Sequence, residues 1–493
     1  MRLICFQALF FGLLLLLAAC INEDIGQDST QDAASVQAPF EIAAETEAVS
    51  ISPYLHTDGP WILDGQNRVV ILRGPQIIQS SPPYISWHTA ADYDRLIEWG
   101  FNSIRLGTVW AAIEPEPGQF DDEYLAQLDE RIGWARERGI YVILDMHQDL
   151  YGEKFNGDGA PAWACLDNGF AYEPWEPWFL NYLQPAVMAS FNNLWRNTDG
   201  VQDAFVNMWK HIAARYADEP AVAGYDLFNE PFYGSNLPWP PELSFDRRFL
   251  QPFYENLIGS MQEADANHLY FFEPTGAAGA GVPCYMEEMN LDNIVYAPHY
   301  YSALANVFNF YYGNTWILDL MLNLVEQDAR GMNVPYWVGE WALFNGQTIN
   351  HEQYMEDMCR ALDDHLAGWC YWIYNKDDNV GLLDPEGNER AWVLDNVSRT
   401  YPQRIHGYPL SFSFDAATDR FEMTWQENRN ASGPTVIYVP QPRHYPNGFT
   451  VSCSDKPGSW KYQWDAAKSR LLVWSDPDNL LHTLTIERNP TGF

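Results

Sequence analysis

Basic residues are scarce in this chain. Lys and Arg number 28 against 66 Asp and Glu, a formal net charge of −38 over 493 residues. A nucleic-acid partner needs a basic face that displaces counterions from phosphates, so that class is excluded. Cysteine is scarce too: seven, at positions 5, 20, 165, 284, 359, 370 and 453, with no C-x-x-C pair and no zinc-ligand spacing. Beyond the N-terminus no apolar run is long enough to cross a bilayer. No G-x-S-x-G elbow marks a lipase or esterase. His351-Glu352 lacks the second His of a zinc-protease helix, and Gly74-Pro75-Gln76 is not a Gly-rich phosphate turn. No metal and no cofactor is implied. Aromatics, by contrast, are plentiful: 21 Trp, 28 Tyr and 26 Phe, 15% of the chain. That rules out a disordered acidic protein and leaves rings to spare for ligand platforms.

The N-terminus reads as an export signal. Met1-Arg2 precedes an apolar stretch from Leu3 to Leu17, then Leu17-Ala18-Ala19-Cys20. The stretch is the size of a signal-peptide core, and small residues before a Cys resemble the bacterial lipoprotein box. Residues 1–20 are therefore expected to be a lipoprotein signal with Cys20 as lipidation site. The protein is then anchored to a bacterial membrane by acyl chains; an ordinary secretory signal is the alternative. Residues 21–50 hold Glu23, Asp24, Asp28, Asp32, Glu41, Glu45 and Glu47 without Lys or Arg, the pattern of an extended solvated tether. Five cysteines then remain, so at least one lacks an intrachain partner; Cys359 with Cys370 is one open pairing.

From residue 69 to about 375 apolar runs alternate with amphipathic stretches. The strand-like runs are Val69–Ile78, Asn102–Val109, Ile140–His147, Val222–Asn229, Leu269–Glu273, Ile294–Tyr301, Tyr336–Trp341 and Gly368–Tyr374. Helical patterns include Ala90–Trp99, Asp122–Arg138, Val201–Tyr216, Phe245–Ala266, Ile317–Arg330 and His351–Leu366. Near-continuous apolar strands belong to a parallel sheet covered on both faces. Eight in alternation with helices predict an α/β fold, a (β/α)8 TIM barrel over residues 51–399. A doubly wound open sheet is the competing topology. After residue 400 short alternating runs, Phe421–Trp425, Thr435–Val439 and Leu471–Val473, lie between Pro, Gly, Asn and Asp. They predict a small C-terminal antiparallel β-sandwich over 400–493.

Polar residues fall at the ends of these runs. Arg105 comes late in the second, His147 and Asp149 close the third, Asn229 and Glu230 the fourth, Glu273 the fifth, His299 and Tyr301 the sixth, Glu340 the seventh, and Trp372 lies near the end of the eighth. In a closed parallel barrel these ends meet at one face, where barrel active sites lie. Two carboxyls on facing rims, Glu230 and Glu340, suit glycoside hydrolysis. Roughly 5–5.5 Å apart, one attacks the anomeric carbon while the other protonates the leaving oxygen; a wider gap admits water and inverts. The acid must keep its proton near neutral pH, and an apolar setting beside a negative charge is expected to raise its pKa.

These residues resemble glycoside hydrolase family 5, the cellulase-like retaining hydrolases, over about residues 55–390. Asn229-Glu230-Pro231 matches the acid/base motif and Gly339-Glu340 the nucleophile motif; Arg105, His147, His299, Tyr301 and Trp372 match further active-site positions. A narrower resemblance, to the endoglycoceramidase subgroup, lies in Asp145-Met146-His147-Gln148-Asp149-Leu150-Tyr151, in Asp158-Gly159-Ala160-Pro161-Ala162-Trp163-Ala164, and in Tyr225 through Phe232. The resemblance implies cleavage between an intact oligosaccharide and ceramide, on glycosphingolipid at a membrane surface. It implies Glu340 as nucleophile and Glu230 as acid/base, with Asn229 on the sugar 2-OH. Tyr301 and Arg105 would orient Glu340 and keep it ionised. His147 and His299 would line the sugar subsite, Trp372 would floor it, and Asp149 would bind sugar.

The pattern departs from the family in one loop. Gln76 stands where members usually have Asn, and no Lys is found near Gln79, where several endoglycoceramidases carry one. That bears on whether glucose or galactose sits next to ceramide. Three long aromatic insertions flank the same face: 150–198 with Phe155, Trp163, Tyr172, Trp175, Trp178, Phe179, Tyr182 and Trp195; 232–243 with Phe232, Tyr233, Leu237, Trp239 and Leu243; and 302–316 with Leu304, Val307, Phe308, Phe310, Tyr311, Tyr312 and Trp316. They are expected to form a groove for lipid tails and platforms for sugars, or small cores of their own. A polysaccharide hydrolase of the same family, a β-glucanase or mannanase, is the enzymatic alternative. A non-catalytic glycan-binding lipoprotein is the other.

Overall fold

The computed structural model describes residues 35–36, 52–236, 241–377 and 379–490. The expectations for the signal segment, for Cys20 and for most of 21–50 lie outside these residues. The strand-like runs form one parallel sheet: β1 (Arg73–Ile77), β2 (Ser103–Thr108), β3 (Tyr141–Met146), β4 (Val222–Asp226), β5 (Leu269–Phe272), β6 (Ile294–Tyr296), β7 (Trp337–Trp341) and β8 (Gly368–Tyr371), in the order β6-β5-β4-β3-β2-β1-β8-β7. Bridges Tyr296–Tyr336 and His299–Glu340 join β6 to β7 and close the sheet. The expected (β/α)8 barrel is the fold observed. The stretch expected as one helix over Phe245–Ala266 opens with a π-helical turn, Asp246–Leu250, before the α-helix Gln251–Gln262. Pro252, with no N–H for an i−4 bond, follows that turn. Among the described residues no helix is long and apolar enough to cross a membrane.

The two-residue period of a strand sorts each run into an outer and an inner row. On β3, Val142, Leu144 and Met146 join the core beneath the helices, while Ile143 and Asp145 face the axis. On β5, Tyr270 and Phe272 face out and Leu269 and Phe271 face in. The inner row is layered. Its lower part is apolar, with Ile143, Leu269, Phe271, Val295, Ala297 and Trp337, and is plugged from below by Leu55, Ile62, Val70 and Leu72. Its top is polar, and there the site lies.

The run Val69–Ile78, expected as one strand, is two. Val69–Val70 pairs antiparallel with Ile405 and Arg404, whereas Arg73–Ile77 is β1 of the barrel. Both halves are buried, so hydropathy shows no break between them. With His56–Asp58 and Trp61–Leu63, Val69–Val70 extends a sheet completed by Tyr401–Ile405, Thr435–Tyr438, Arg470–Trp474 and Lys461–Asp465. A second antiparallel sheet contains Gly407–Asp415, Arg420–Glu427, Leu481–Arg488 and Phe449–Cys453, and the last pairs with Ser35–Val36. Phe412, Phe421, Trp425, Ile437 and Leu471 share the core between the two sheets. The antiparallel C-terminal sheets are as expected, with the segment before the barrel woven into one of them.

The joint between sandwich and barrel is specific. Gly100 sits at φ +84°, and a Cβ there would lie 2.2 Å from the Tyr438 ring. Tyr401 Oη and Gln403 Nε2 donate to its carbonyl at 2.8 and 3.0 Å. Arg73, buried, pairs with Asp363 at 2.8 Å and lies over the Tyr401 and Phe412 rings. Arg399 reaches the other oxygen of Asp363 at 3.5 Å. Cys165, Cys284, Cys359 and Cys370 form no disulfide, so Cys359 and Cys370 are not paired.

Candidate active site

The polar top of the barrel is organised by one cation. Arg105, on the inner row of β2, is completely buried. Its Nε donates to Asp226 at 2.8 Å; Nη2 donates to Asp145 at 2.8 Å and to Asn229 and Glu273 at 2.9 Å; Nη1 donates to Glu340 at 2.5 Å and to Gln76 at 3.2 Å. Five elements thus send their inward polar residue to one guanidinium. Such a network is tolerable in the interior only because the fork offers several donors at fixed angles. Gln76 accepts from Arg105 and donates to Asp145 at 2.7 Å, so this amide bridges the cation to an anion.

The two glutamates stand on either side of this hub. Glu340, at the end of β7, has a side chain only 6% exposed; besides Arg105 it accepts a 2.7 Å hydrogen bond from Tyr301 Oη. Gly339 before it is required by space, since a Cβ would fall 2.9 Å from the His299 ring. Glu230 follows β4 in the left-handed region at φ +42°. For a residue with a Cβ that costs of order 1–3 kcal/mol, and such strain clusters at functional sites. It is held there by Glu273, which accepts the Glu230 N–H at 2.8 Å, and by Gln148 Nε2, which donates to the Glu230 carbonyl at 3.2 Å. The Glu230 side chain is 30% exposed. Donor atoms of Glu230, His299 and Glu340 all lie within 4.8 Å of one another.

His299 sits between the two. Its Nδ1 is 3.0 Å from Glu230 and 3.5 Å from Glu340, and Nε2 is 3.2 Å from Glu273. Burial disfavours charge on the ring, but Glu273 and Glu340 outweigh it and raise its pKa well above the histidine range. The consequence for Glu230 differs from the expectation of a raised carboxyl. Burial does push it up, yet the hydrogen bond and charge of His299 prevail and hold it below its ordinary value. The sequence reading weighed burial and the other glutamate but not this imidazolium. Beside it Asp226 and Glu273 are pushed up, by burial and, for Asp226, by Glu273 and Asp145.

The remaining candidates line the same opening. His147 donates to Asp145 at 2.9 Å; burial opposes its charge, Asp145 overrides that, and the ring is lifted to about 10. It stacks on Trp372, centroids 5.4 Å apart. Asp149 accepts weakly from Tyr182 Oη at 3.4 Å, and its N–H donates to Asp158 at 2.6 Å. Burial and then Asp158 push its carboxyl well above the usual range. Asn229 donates to the Gln148 carbonyl at 3.1 Å. A cleft of about 430 Å³ opens beside Trp372, lined by Gln79, Ser80, Ile373, Asn375 and Val380. His147, Asp149 and Asp158 form a second set of donors within 4.8 Å. All nine expected barrel positions converge here. Glu273, expected at this face as a strand end, and Gln76, noted as a departure from the family, converge here too, though neither was given a role; Asp145, Gln148, Asp158 and Asp226 were not singled out from the sequence. Two of them stood in view: Asp145 and Asp226 are charges inside otherwise apolar runs. The aromatic insertions divide: Phe155, Trp195 and Tyr311 are buried, whereas Trp175, Trp178, Phe179, Phe308, Tyr312 and Trp316 are exposed.

Comparison with known proteins bears on this geometry. Residues 65–378 match the family described as Cellulase (glycosyl hydrolase family 5), and residues 399–486 match the glycoside hydrolase family 5 C-terminal domain. Endoglycoceramidase I of Rhodococcus hoagii is 30% identical over 417 residues, which cover 80% of this chain and 82% of that protein. The solved structure of endo-glycoceramidase II from Rhodococcus sp. in complex with ganglioside GM3 superposes with TM-score 0.79 at 28% identity, covering 88% of this chain and 100% of that one. The structure of its lactosyl-enzyme intermediate gives TM-score 0.77 at 28% identity, covering 88% and 99%.

Proposed function

The chain belongs to glycoside hydrolase family 5, and from that premise we propose that it is a retaining endo-glycosidase that releases intact oligosaccharide from the ceramide of glycosphingolipids. The observation that carries the mechanism is the approach of Glu230 and Glu340 oxygens to within 4.8 Å. That spacing belongs to the retaining class, at roughly 5–5.5 Å between carboxyls, and leaves no room for the water of an inverting enzyme.

Glu340 is the nucleophile in this reading. Arg105 and Tyr301 hold both its oxygens, which fixes its direction of attack. Glu230 is the acid/base. It and His299 share one proton across 3.0 Å. As carboxylic acid beside neutral imidazole the pair protonates the departing ceramide oxygen. That leaves carboxylate beside neutral imidazole, and in this state the pair takes a proton from the water that attacks the glycosyl ester, which restores the starting state. Asn229, tied to Arg105 and Gln148, offers its amide to the sugar 2-OH. Trp372 with His147 forms the platform under the sugar, and Asp149 binds a sugar hydroxyl. Names and ligands of the relatives support the substrate class: endoglycoceramidase I, a GM3 complex and a lactosyl-enzyme intermediate.

The test offers lactosylceramide and soluble β-glucan to the purified protein. Intact lactose with β configuration, together with ceramide, is the expected product. Glucan cleavage with untouched glycolipid would replace this reading by the polysaccharide one. We further propose that Cys20 carries the lipid that holds the enzyme to a bacterial membrane, on the strength of Leu17-Ala18-Ala19-Cys20 after the apolar stretch. Cys20→Ser should move the protein from the membrane to the soluble fraction; unchanged fractionation would refute the anchor.

A further inference from the structure

Charge is missing from one part of this heavily charged protein. Charged residues are 19% of the chain, yet residues 302–318 and 342–350 contain no Asp, Glu, Lys or Arg. These two segments are the loops after β6 and β7, and they are knitted together by the Tyr311 N–H to the Ile349 carbonyl at 3.0 Å and the Phe344 N–H to Asn306 at 2.8 Å. Their tips carry large apolar side chains in water: Tyr312 is 70% exposed and Trp316 59%. Across the opening the loop after β3 does the same, with Trp178 52% and Phe179 51% exposed. Residues 155–195 hold no Lys or Arg.

Each lip is one ring away from a residue that touches an acid of the site. Phe344 stacks on Tyr301, centroids 4.9 Å apart, and Tyr301 donates to Glu340. Trp178 lies 6.4 Å from Tyr182, whose hydroxyl meets Asp149. Exposed aromatics on two sides of one opening are not a folding requirement, since each loop already buries rings of its own. Large exposed apolar patches mark interaction sites, and Trp and Tyr settle at the boundary between lipid headgroups and acyl chains.

We propose that these two lips are a membrane-docking surface, with Trp178, Phe179, Tyr312 and Trp316 entering the headgroup region of a neutral, zwitterionic lipid leaflet. The site mouth then meets the glycolipid headgroup without the lipid leaving the bilayer. The occupant follows from charge. On a protein of net charge −38 one lip is uncharged and the other carries only acids, Asp167, Glu173 and Glu176; with no Lys or Arg on either to bind anionic lipid, the rim suits a surface with no net charge. The inference rests on the glycolipid reading of the site, but its docking half is testable without catalysis.

The experiment compares the full chain with a variant carrying Trp178→Ser, Phe179→Ser, Tyr312→Ser and Trp316→Ser. Both carry Cys20→Ser so that no acyl chain contributes. Sedimentation with phosphatidylcholine vesicles free of glycolipid should fall at least tenfold in the variant. Cleavage of lactosylceramide in such vesicles should fall by a similar factor, while turnover of water-soluble nitrophenyl lactoside stays as it was. Equal sedimentation of both proteins, or no sedimentation of the parent, overturns docking. Failure of the parent to cleave lactosylceramide while it still sediments overturns only the substrate reading. Replacing a third of the phosphatidylcholine by phosphatidylserine should weaken binding of the parent; stronger binding would overturn the neutral-surface assignment. Should the quadruple variant lose soluble turnover, Trp316→Asp alone, at an exposed tip, must still show the vesicle-specific loss.

Discussion

The two ends of the barrel solve the same problem in opposite ways. At the bottom, Arg73 and Arg399 converge on one carboxylate, Asp363, and Arg73 is walled by Trp369, Tyr401 and Phe412. At the top one guanidinium, Arg105, meets four carboxylates: Asp145, Asp226, Glu273 and Glu340. The lower cluster has cation in excess and aromatic faces to absorb it. The upper one has acid in excess, and protons must make up the difference. That is why His147 and His299 are pulled toward charge and Asp226 and Glu273 toward neutrality.

This contrast can be broken by four changes, largest effect first. Glu340→Gln removes the attacking oxygen and should lower kcat by roughly 10⁴-fold or more without loss of folding, read by steady-state kinetics and circular dichroism. A drop of less than tenfold would relocate the nucleophile. Glu230→Gln should cost about 10²–10⁴-fold on glycolipid. It should cost far less in forming the glycosyl ester from an aryl glycoside, whose leaving group needs no proton; equal losses on both would deny it the acid role. At the bottom, Asp363→Asn leaves two buried guanidiniums without their anion and should cost about 3–5 kcal/mol in urea unfolding. Turnover per folded molecule should not change; a catalytic defect of the same size would erase the distinction between the ends. The subtlest is His299→Gln. The shared proton must then be held by Glu230 alone, without an imidazole whose own hold on it lies well above the histidine range. The alkaline limb of kcat/KM should therefore move downward, and an upward shift would contradict the sharing of a proton between the two.

The barrel was legible because each strand is a run of apolar residues long enough to cross it and ends on a polar one. What hydropathy cannot show is which sheet a buried residue enters. Val69–Ile78 reads as one strand, yet Ile71 donates to Gln403 of the sandwich while Gln76 pairs with Arg105 of β2. The convergent positions were legible at strand ends, whereas Asp145 and Asp226 sit inside strands, where partners decide whether a carboxylate is functional or merely paired. The direction of the Glu230 shift was beyond the sequence. It depends on His299, 69 residues away, presenting Nδ1 at 3.0 Å.

The short stretch leading into β1 serves two masters. It contributes Val69–Val70 to the sandwich edge, and Leu55, Ile62, Val70 and Leu72 to the floor of the barrel. The catalytic half is accordingly not a detachable cassette. Trimming the tail would strip that stretch of its neighbours and open the barrel from beneath, so any shortened or grafted version must carry both halves or neither.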